Sequence, residues 1–524
     1  MISTCLKTLL AMLLAAGTAA QAATLRWAGR GDAPTLDPHS FNEGFTDTLV
    51  GHVYEHLVRV DREQRRVPGL AESWQVVNDT TWRFTVRRGV VFSDGSPFTA
   101  ADAVFSIERA QQASSQQAYF ARQLGKPVLI DERTFELRLE KPNPLLIEHQ
   151  LNVRMMSAAW CKANGADKVP NFTQKEEAFS TRHALGTGPY MLESYEPGVK
   201  AVLVRNPKWW DRNEGNIDRI VYTPIANDGT RTAALLAGDI DFTHDTPPQD
   251  TTRLSRDPAV KLSTGPENRI LFFAMDQHRD ELLYASVKGR NPFKDVRVRE
   301  AFMLAIDAEA IKANTMRGQS VPTACLAPAA IGCLAPELER RPAADPVKAK
   351  ALLAAAGYPE GFELTLDCPN DRYVNDQAIC LAAAAMLGKV GVKVKVDARP
   401  KSIYFQKIER HDTSFYLLGW GGGTTDAQGT LDPIAHRPDA ASKKGEYNYG
   451  GSGDAELDRL LDAAGTDMNA ERRARLIGDA QRRVMQQYYL LPLHRQMITW
   501  VGRRNVAPVV MPDNGVRAQW MRID

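Results

Sequence analysis

Between Phe362 and Leu418 the chain reads strand, helix, strand, helix, strand, and this alternation constrains the fold more than any other feature. The strands are expected at Phe362–Leu366, Val392–Val396 and Ser414–Leu418, and the helices at Val374–Lys389 and Ser402–Arg410. Short connections through helices force successive strands to run parallel, with right-handed crossovers and both faces of the sheet covered. One more helix leads into the unit: Asp345 caps it, Pro346 takes its first position and Gly357 ends it. Ligands of such sheets bind just beyond the carboxyl ends of the strands. The strand Ser414–Leu418 runs into Gly419-Trp420-Gly421-Gly422-Gly423-Thr424-Thr425-Asp426, so that loop is expected to look into a crevice.

The N-terminal part reads as mixed α+β. A strand is expected at Thr24–Ala28, an amphipathic helix at about Thr46–Val58 with Leu49, Val50, Val53 and Leu57 on one stripe, and strands at Trp82–Val86 and Thr134–Leu139. With 524 residues, 44% hydrophobic and 24% charged, the chain has material for two to four globular units, and disorder or a small disulfide scaffold is a poor reading. A formal charge of +2 gives no argument for nucleic acid or an anionic membrane.

Residues 1–22 read as a cleavable secretory signal. Lys7 precedes the apolar stretch Leu9–Ala16, and the run closes on Ala20-Gln21-Ala22, with cleavage expected after Ala22. Position 23 is alanine rather than cysteine, which argues against a lipoprotein, and no later apolar run is long enough to span a bilayer. The mature protein is expected to be soluble and exported. Five cysteines remain in it. Cys325 with Cys333, and Cys368 with Cys380, bracket short loops suited to two local disulfides in an oxidising compartment, leaving Cys161 as a free, buried thiol. Neither spacing is that of a structural zinc knuckle.

Several separated motifs then bear on function. They are Pro68-Gly69-Leu70-Ala71-Glu72-Ser73-Trp74, the stretch from Val90 to Val104 around Phe92-Ser93-Asp94-Gly95, Gly186-Thr187-Gly188-Pro189-Tyr190, Arg205-Asn206-Pro207-Lys208-Trp209-Trp210, Val296-Arg297-Val298-Arg299-Glu300-Ala301, and Lys348 to Gly357. In this order and spacing they resemble the solute-binding proteins of ABC importers in the dipeptide, oligopeptide and nickel family, family 5, over nearly all of the mature chain. The resemblance implies an α/β, two-lobe periplasmic-binding-protein fold, type II and cluster C-like, with mixed sheets and a hinge between the lobes. The lobes are expected as 23–268 for lobe I, including an α+β subdomain at about 48–185, 269–490 for lobe II, and 491–524 for the return to lobe I. The crossings fall near Asn268–Asp276 and Leu491–Trp500. The implied function is binding rather than catalysis: a periplasmic monomer that takes a small peptide or peptide-like solute, without cofactor, metal or nucleic acid, and delivers it to permease subunits at the inner membrane.

The resemblance also points to site residues. Trp420 either stacks on the solute or is a core residue, and Gly421, Gly422 and Gly423 either admit close backbone approach or form a flexible turn. Thr424, Thr425 and Asp426 complete this loop. Typical peptide binders carry an acid three residues after the tryptophan, where this chain has Gly423; Asp426 either takes over the pairing with a solute ammonium or the solute is not an ordinary peptide. Arg154, beside Met155, either holds a carboxylate through its fork or is a solvated or interlobe arginine. Phe41, Asn42 and Glu43 resemble an N-terminal segment lining the cleft. The rival class is a zinc hydrolase, because His52-Val53-Tyr54-Glu55-His56 spells an inverted zincin pattern. A non-peptide solute such as a metal chelate, haem, an opine or an oligosaccharide is the other alternative. The acidic run Asp239–Asp245 lacks the glycine and closing glutamate of a calcium loop and is read as a helix stop at Gly238 followed by a strand.

Overall fold

The computed structural model describes residues 23–244, 246–327, 333–421 and 426–524. The signal segment expected at residues 1–22, and Gly422, Gly423, Thr424 and Thr425, lie outside the described residues. In chain order the elements that position the site begin with strand β1 (Ala23–Gly29) and helix α1 (Gly44–Val50). Strands β2 (Ala71–Asn78), β3 (Thr81–Val86), β4 (Lys126–Leu129) and β5 (Thr134–Arg138) form a separate antiparallel sheet in the order β2-β3-β5-β4. Helix α2 (Ala100–Ala110) carries buried residues on one side, and Leu57, Phe84, Phe135 and Ile107 share the core of this subdomain.

A second, larger sheet organises the rest. It takes β1, β6 (Tyr190–Glu196), β7 (Lys200–Arg205), β8 (Ile217–Pro224), β9 (Phe242–Thr243), β10 (Val260–Met275), β11 (Ser320–Pro322), β12 (Glu363–Pro369), β13 (Lys393–Arg399), β14 (Phe415–Trp420) and β15 (Leu490–Arg503). The order is β13-β12-β14-β10-β15-β9-β1-β8-β7-β6, with β11 beside β15. The expected β-α-β-α-β unit is present: β12 pairs in parallel with β13 and with β14, through helices α3 (Asp376–Lys389) and α4 (Lys401–Glu409). The helix before it runs Pro346–Ala355, with the Asp345 carboxylate accepting from Lys348 N at 2.8 Å and Gly357 at φ +91° beyond its end.

The two longest strands hold the sheet together. β10 and β15 pair antiparallel over almost their full length, but their register slips between Pro266 and Ile270. On one side of the slip β15 continues into β9, β1 and β8, around a core that includes Trp27, Tyr222, Phe242 and Trp500. On the other side Ile270–Met275 continues into β14 and then β12, against a core that includes Phe273, Phe302, Leu366 and Phe415. Only Glu267, Asn268 and Arg269 lie between the two paired stretches of β10.

One expected element is corrected. The helix read at Thr46–Val58 stops at Val50, although its hydrophobic stripe continues. The backbone carbonyls that would extend it are taken by other segments: His52 O by Tyr190 N, Val53 O by Gly188 N and Glu55 O by Met155 N. These tertiary bonds displace helical ones, and they require glycine at 186 and 188, where a Cβ would stand 2.0 and 2.7 Å from Val53 O. At Gly238, with φ +84°, the helix Asp228–Ala237 stops as read. Both disulfides are formed, Cys325–Cys333 and Cys368–Cys380, and Cys161 is free and buried, its thiol pushed up to about 12 by burial. No helix among the described residues is long and apolar enough to cross a membrane.

Candidate functional site

The sheet opens at its centre onto a cavity of about 260 Å³. The end of β14 and the loop after it supply Leu418, Gly419, Trp420 and Gly421, as expected for the carboxyl end of a parallel strand. Across from them stand Phe41, Asn42 and Glu43, on the segment leading into α1. One wall is aromatic. Trp420 lies 4.7 Å from Tyr447 between ring centroids, its Nε1 donating to Gly429 O at 3.2 Å, and Phe41 stacks on Phe172 at 3.9 Å with Phe405 edge-on at 6.1 Å.

Segments far apart in sequence are bonded across this cavity. Asn42 Nδ2 donates to the Tyr447 hydroxyl at 3.0 Å, and that hydroxyl donates to Gln116 O at 2.7 Å. Glu409, at the end of α4, accepts from Gln116 Nε2 at 3.1 Å and from Thr173 Oγ1 at 2.6 Å. Burial still pushes its carboxyl up to about 7, because these neutral donors do not repay the lost hydration and Glu446 stands near. Outside the cavity lining, Tyr119 donates to Asp432 at 3.1 Å, and Arg122 donates to Ala441 O at 2.9 Å.

Glu43 is the strongest of these links. Its oxygens cap α1 by accepting from Phe45 N at 3.1 Å and Thr46 N at 2.9 Å, and they pair with Arg372 Nε at 3.0 Å and Lys401 Nζ at 3.1 Å. Burial alone would raise this carboxyl. The ammonium, the guanidinium and the two backbone donors outweigh burial and hold it well below the usual carboxylate range.

The other expected site residues are placed differently. Arg154 borders the cavity, but its donors are engaged: Nε and Nη2 hold Asp47 at 2.9 Å each, and Nη1 donates to Tyr54 O at 2.9 Å. Met155 is fully buried in the core of the β2–β5 subdomain and does not border the cavity. Asp426 does not border it either; its Oδ1 pairs with Arg473 at 2.7 Å and accepts from Gln428 N at 2.8 Å. Sequence reasoning missed Arg269, Arg372, Glu409 and Tyr447. The available signal was Glu267-Asn268-Arg269, three polar residues directly before the apolar run Ile270–Met275.

The inverted zincin pattern is not a metal constellation. His52, Glu55 and His56 lie beyond the end of α1; His52 Nδ1 donates to Thr48 O at 2.9 Å, and the Glu55 carboxylate accepts from Trp209 and Trp210 at 3.2 and 2.9 Å and from Thr187 at 2.9 Å. Glu55 thus ties the Trp209-Trp210 and Gly186–Tyr190 motifs together. Among the described residues, one group of three potential metal-binding side chains has its ligand atoms within 4.8 Å of one another, Cys325, Cys333 and Glu339, and both of its sulfurs are in a disulfide.

The cavity thus lies where two half-sheets joined by paired long strands meet, and the sequence carries the signature of a known family. The profile of the bacterial extracellular solute-binding proteins, family 5 Middle, matches residues 65–442, more than half of the chain. The chain belongs to this family. The glutathione-binding protein GsiB of Salmonella choleraesuis (strain SC-B67) is 24% identical over 490 residues, covering 92% of this chain and 91% of that protein. Its counterpart in Escherichia coli O157:H7 is 25% identical over 492 residues, with the same coverage. Among solved structures, the periplasmic binding protein DppA from Helicobacter pylori in complex with the peptide STSA superposes with a TM-score of 0.84 at 20% identity, covering 96% of this chain and 98% of that one. AgaA from A. tumefacien R10 in complex with agropinic acid gives 0.83 at 23%, covering 96% and 99%. These likenesses show that the fold is that of the two-lobe periplasmic binding proteins, with mixed sheets. Family 5 membership makes the protein a solute-binding component of ABC import.

Proposed function

We propose that the protein captures a small peptide or peptide-like solute in the cavity between two lobes and delivers it, chemically unchanged, to permease subunits at the inner membrane. The lobes comprise residues 23–268 with 491–524, and residues 269–490, and they turn about the slipped register of β10 and β15. The observation that carries this reading is the set of bonds across the cavity. Glu43 with Lys401 and Arg372, Gln116 and Thr173 with Glu409, and Asn42 with Tyr447 link residues of the two proposed lobes around an aromatic-walled cavity. A solute touching both walls favours this closed arrangement by its differential contacts, and a permease can recognise the closed form.

Export to the periplasm, action as a monomer and the absence of catalysis belong to the same reading. Two local disulfides suit an oxidising compartment. A thermal-shift screen with the dipeptide Met-Leu, glutathione, the peptide STSA, agropinic acid and a nickel–histidine complex tests it, since a solute bound only by the folded form raises apparent stability by mass action. The expected result is a saturable rise in melting temperature with a peptide or peptide-like compound, and its recovery intact after binding. Turnover of the compound, or a response confined to the metal complex, would overturn the reading.

A further inference from the structure

The cavity does not end where the half-sheets meet. It continues along one face of α1, where Gly44, Asp47, Thr48 and Gly51 border it in turn. That spacing is one side of a helix, and Thr46, Leu49 and Val50 on the other side are buried. At about 1.5 Å per residue, this face carries the cavity about 10 Å past Gly44. The far end lies between two segments. Arg59 and Val60 belong to the hairpin of strands Val58–Val60 and Arg66–Pro68, and Arg517 and Trp520 to the segment that follows β15. Arg59 borders this end with 39% of its side chain exposed, and Arg62, over the Trp520 ring, is 41% exposed, which brings the space to the surface.

The rim of this opening is braced from one side of the joint only. Arg59 Nη1 donates to Asp211 at 2.7 Å, Arg62 Nη2 donates to Glu214 at 2.8 Å, and Gly215 N donates to Gln519 O at 2.8 Å. The segment Asp211–Gly215 thereby ties the hairpin to the segment of Trp520. The guanidinium groups of Arg87 and Arg59 lie 4.3 and 5.1 Å from the Trp210 ring centroid, and those of Arg62 and Arg517 lie 5.4 Å each from that of Trp520. Every one of these residues falls within 23–268 or 491–524, so closure of the proposed lobes leaves the opening as it is. The charges along the passage are met locally: Asp47 by Arg154 at 2.9 Å, Asp513 by Arg517 at 3.1 Å and Arg59 by Asp211. Glu55, the remaining acid, accepts from Thr187, Trp209 and Trp210, and burial keeps His52 neutral by pushing it down to about 4. A polar wall with no charge left without a partner suits an uncharged, hydrogen-bonding chain better than a charged terminus.

We propose that this passage is a second mouth of the cavity, running through the first lobe, by which the tail of an extended peptide-like solute leaves the closed protein. The head of the solute lies between the lobes beside Trp420, and the tail follows the face of α1 toward Arg59 and Trp520. An extended chain advances about 3.3 Å per residue, so that face takes about three residues and anything longer passes out. The solute class is then a peptide-like chain fixed at one end, with its length and its other end unread. This inference rests on the solute-capture reading.

The test lengthens peptides on the whole mature protein. Met-Leu and STSA, alone and extended by one to four glycine residues at either end, are titrated calorimetrically against wild type, Thr48→Trp and Gln519→Trp. The expected result in wild type is that extension at one end keeps affinity within about threefold to the longest peptide, while extension at the other end costs at least tenfold. Thr48→Trp narrows the passage and Gln519→Trp its rim, so each should lower affinity for the longest tolerated peptide at least tenfold relative to Met-Leu. A benzophenone at the end of the tolerated tail should crosslink wild type within residues 58–69 or 513–520, located by mass spectrometry, a readout that holds even where both variants fail to fold. Loss of affinity on extension at both ends overturns the mouth and leaves solute capture standing. So does equal tolerance at both ends, tolerance that neither tryptophan reduces in a folded variant, or crosslinking confined to residues 333–490. If no peptide of either series binds, peptide capture falls and the mouth with it.

Discussion

At the scale of single residues, the site is governed by which buried charges have partners. Asp426 shows that an acid near the expected position need not border the cavity: its oxygen is held by Arg473 at 2.7 Å. Asp426→Asn is therefore expected to lower stability by about 1–3 kcal/mol, the cost of leaving a partly buried guanidinium poorly paired, while solute affinity stays within about threefold. Thermal melting and calorimetry on the same preparation check both halves. Glu409 makes the opposite prediction. Its carboxyl is pushed up to about 7 beside Gln116 and Thr173, against an ordinary value near 4.5 that it should regain on opening of the proposed lobes. Closure is therefore expected to take up a proton. The contribution is full below about pH 4.5 and is lost as pH rises toward 7, so affinity should weaken severalfold per pH unit in that window, up to about 3 kcal/mol in all. A Glu409→Gln variant should have a flatter profile over that range; Glu446, Lys443 and Arg410 stand near and remain in it.

At the scale of elements, tertiary hydrogen bonds decide where helices stop and which loops pack. The stripe that promised a helix to Val58 gives way at Val50 because the Gly186–Tyr190 motif claims the carbonyls of His52 and Val53. Gly188→Ala would place a methyl 2.6 Å from His52 O and 2.7 Å from Val53 O, backbone atoms with no room to yield. It should destabilise the fold by about 1–3 kcal/mol, measurable as a lowered denaturation midpoint with an unchanged slope. The disulfides act on the unfolded chain. Each closes a short loop, so reducing Cys325–Cys333 or Cys368–Cys380 should cost about 2–3 kcal/mol. Without reductant, thiol counting should find none in the native mature protein and one, Cys161, after unfolding, because that thiol is buried.

For the molecule as a whole, one sheet runs through both half-sheet cores, and the proposed division into lobes puts the joint at the register slip between Pro266 and Ile270. A bend there would leave the hydrogen bonds of each half-sheet intact while separating the groups bonded across the cavity. Scattering from the solute-free protein is therefore expected to show a larger radius of gyration than from the solute-bound protein, with melting temperature rising in parallel. Glu43→Gln weakens the link to Arg372 and Lys401 and should shift the solute-free protein toward the open form. An unchanged scattering curve across all three samples would exclude closure about this joint.

The sequence by itself determined the local units and their order. The β-α-β-α-β alternation, the caps at Asp345 and Gly357, the helix stop at Gly238 and the pairing of nearby cysteines all rest on interactions between residues close in the chain, which periodicity and turn chemistry report directly. Trp420, Phe41, Asn42 and Glu43 were legible as cavity-facing because a strand end and a family motif located them. The tertiary structure alone decided where buried charges meet: Arg269 with Arg372 over Gly44, Lys401 with Glu43, Arg473 with Asp426. Those partners stand tens to hundreds of residues apart, and the energy that selects them is desolvation set against Coulomb attraction, which exists only once the chain has excluded water from around them.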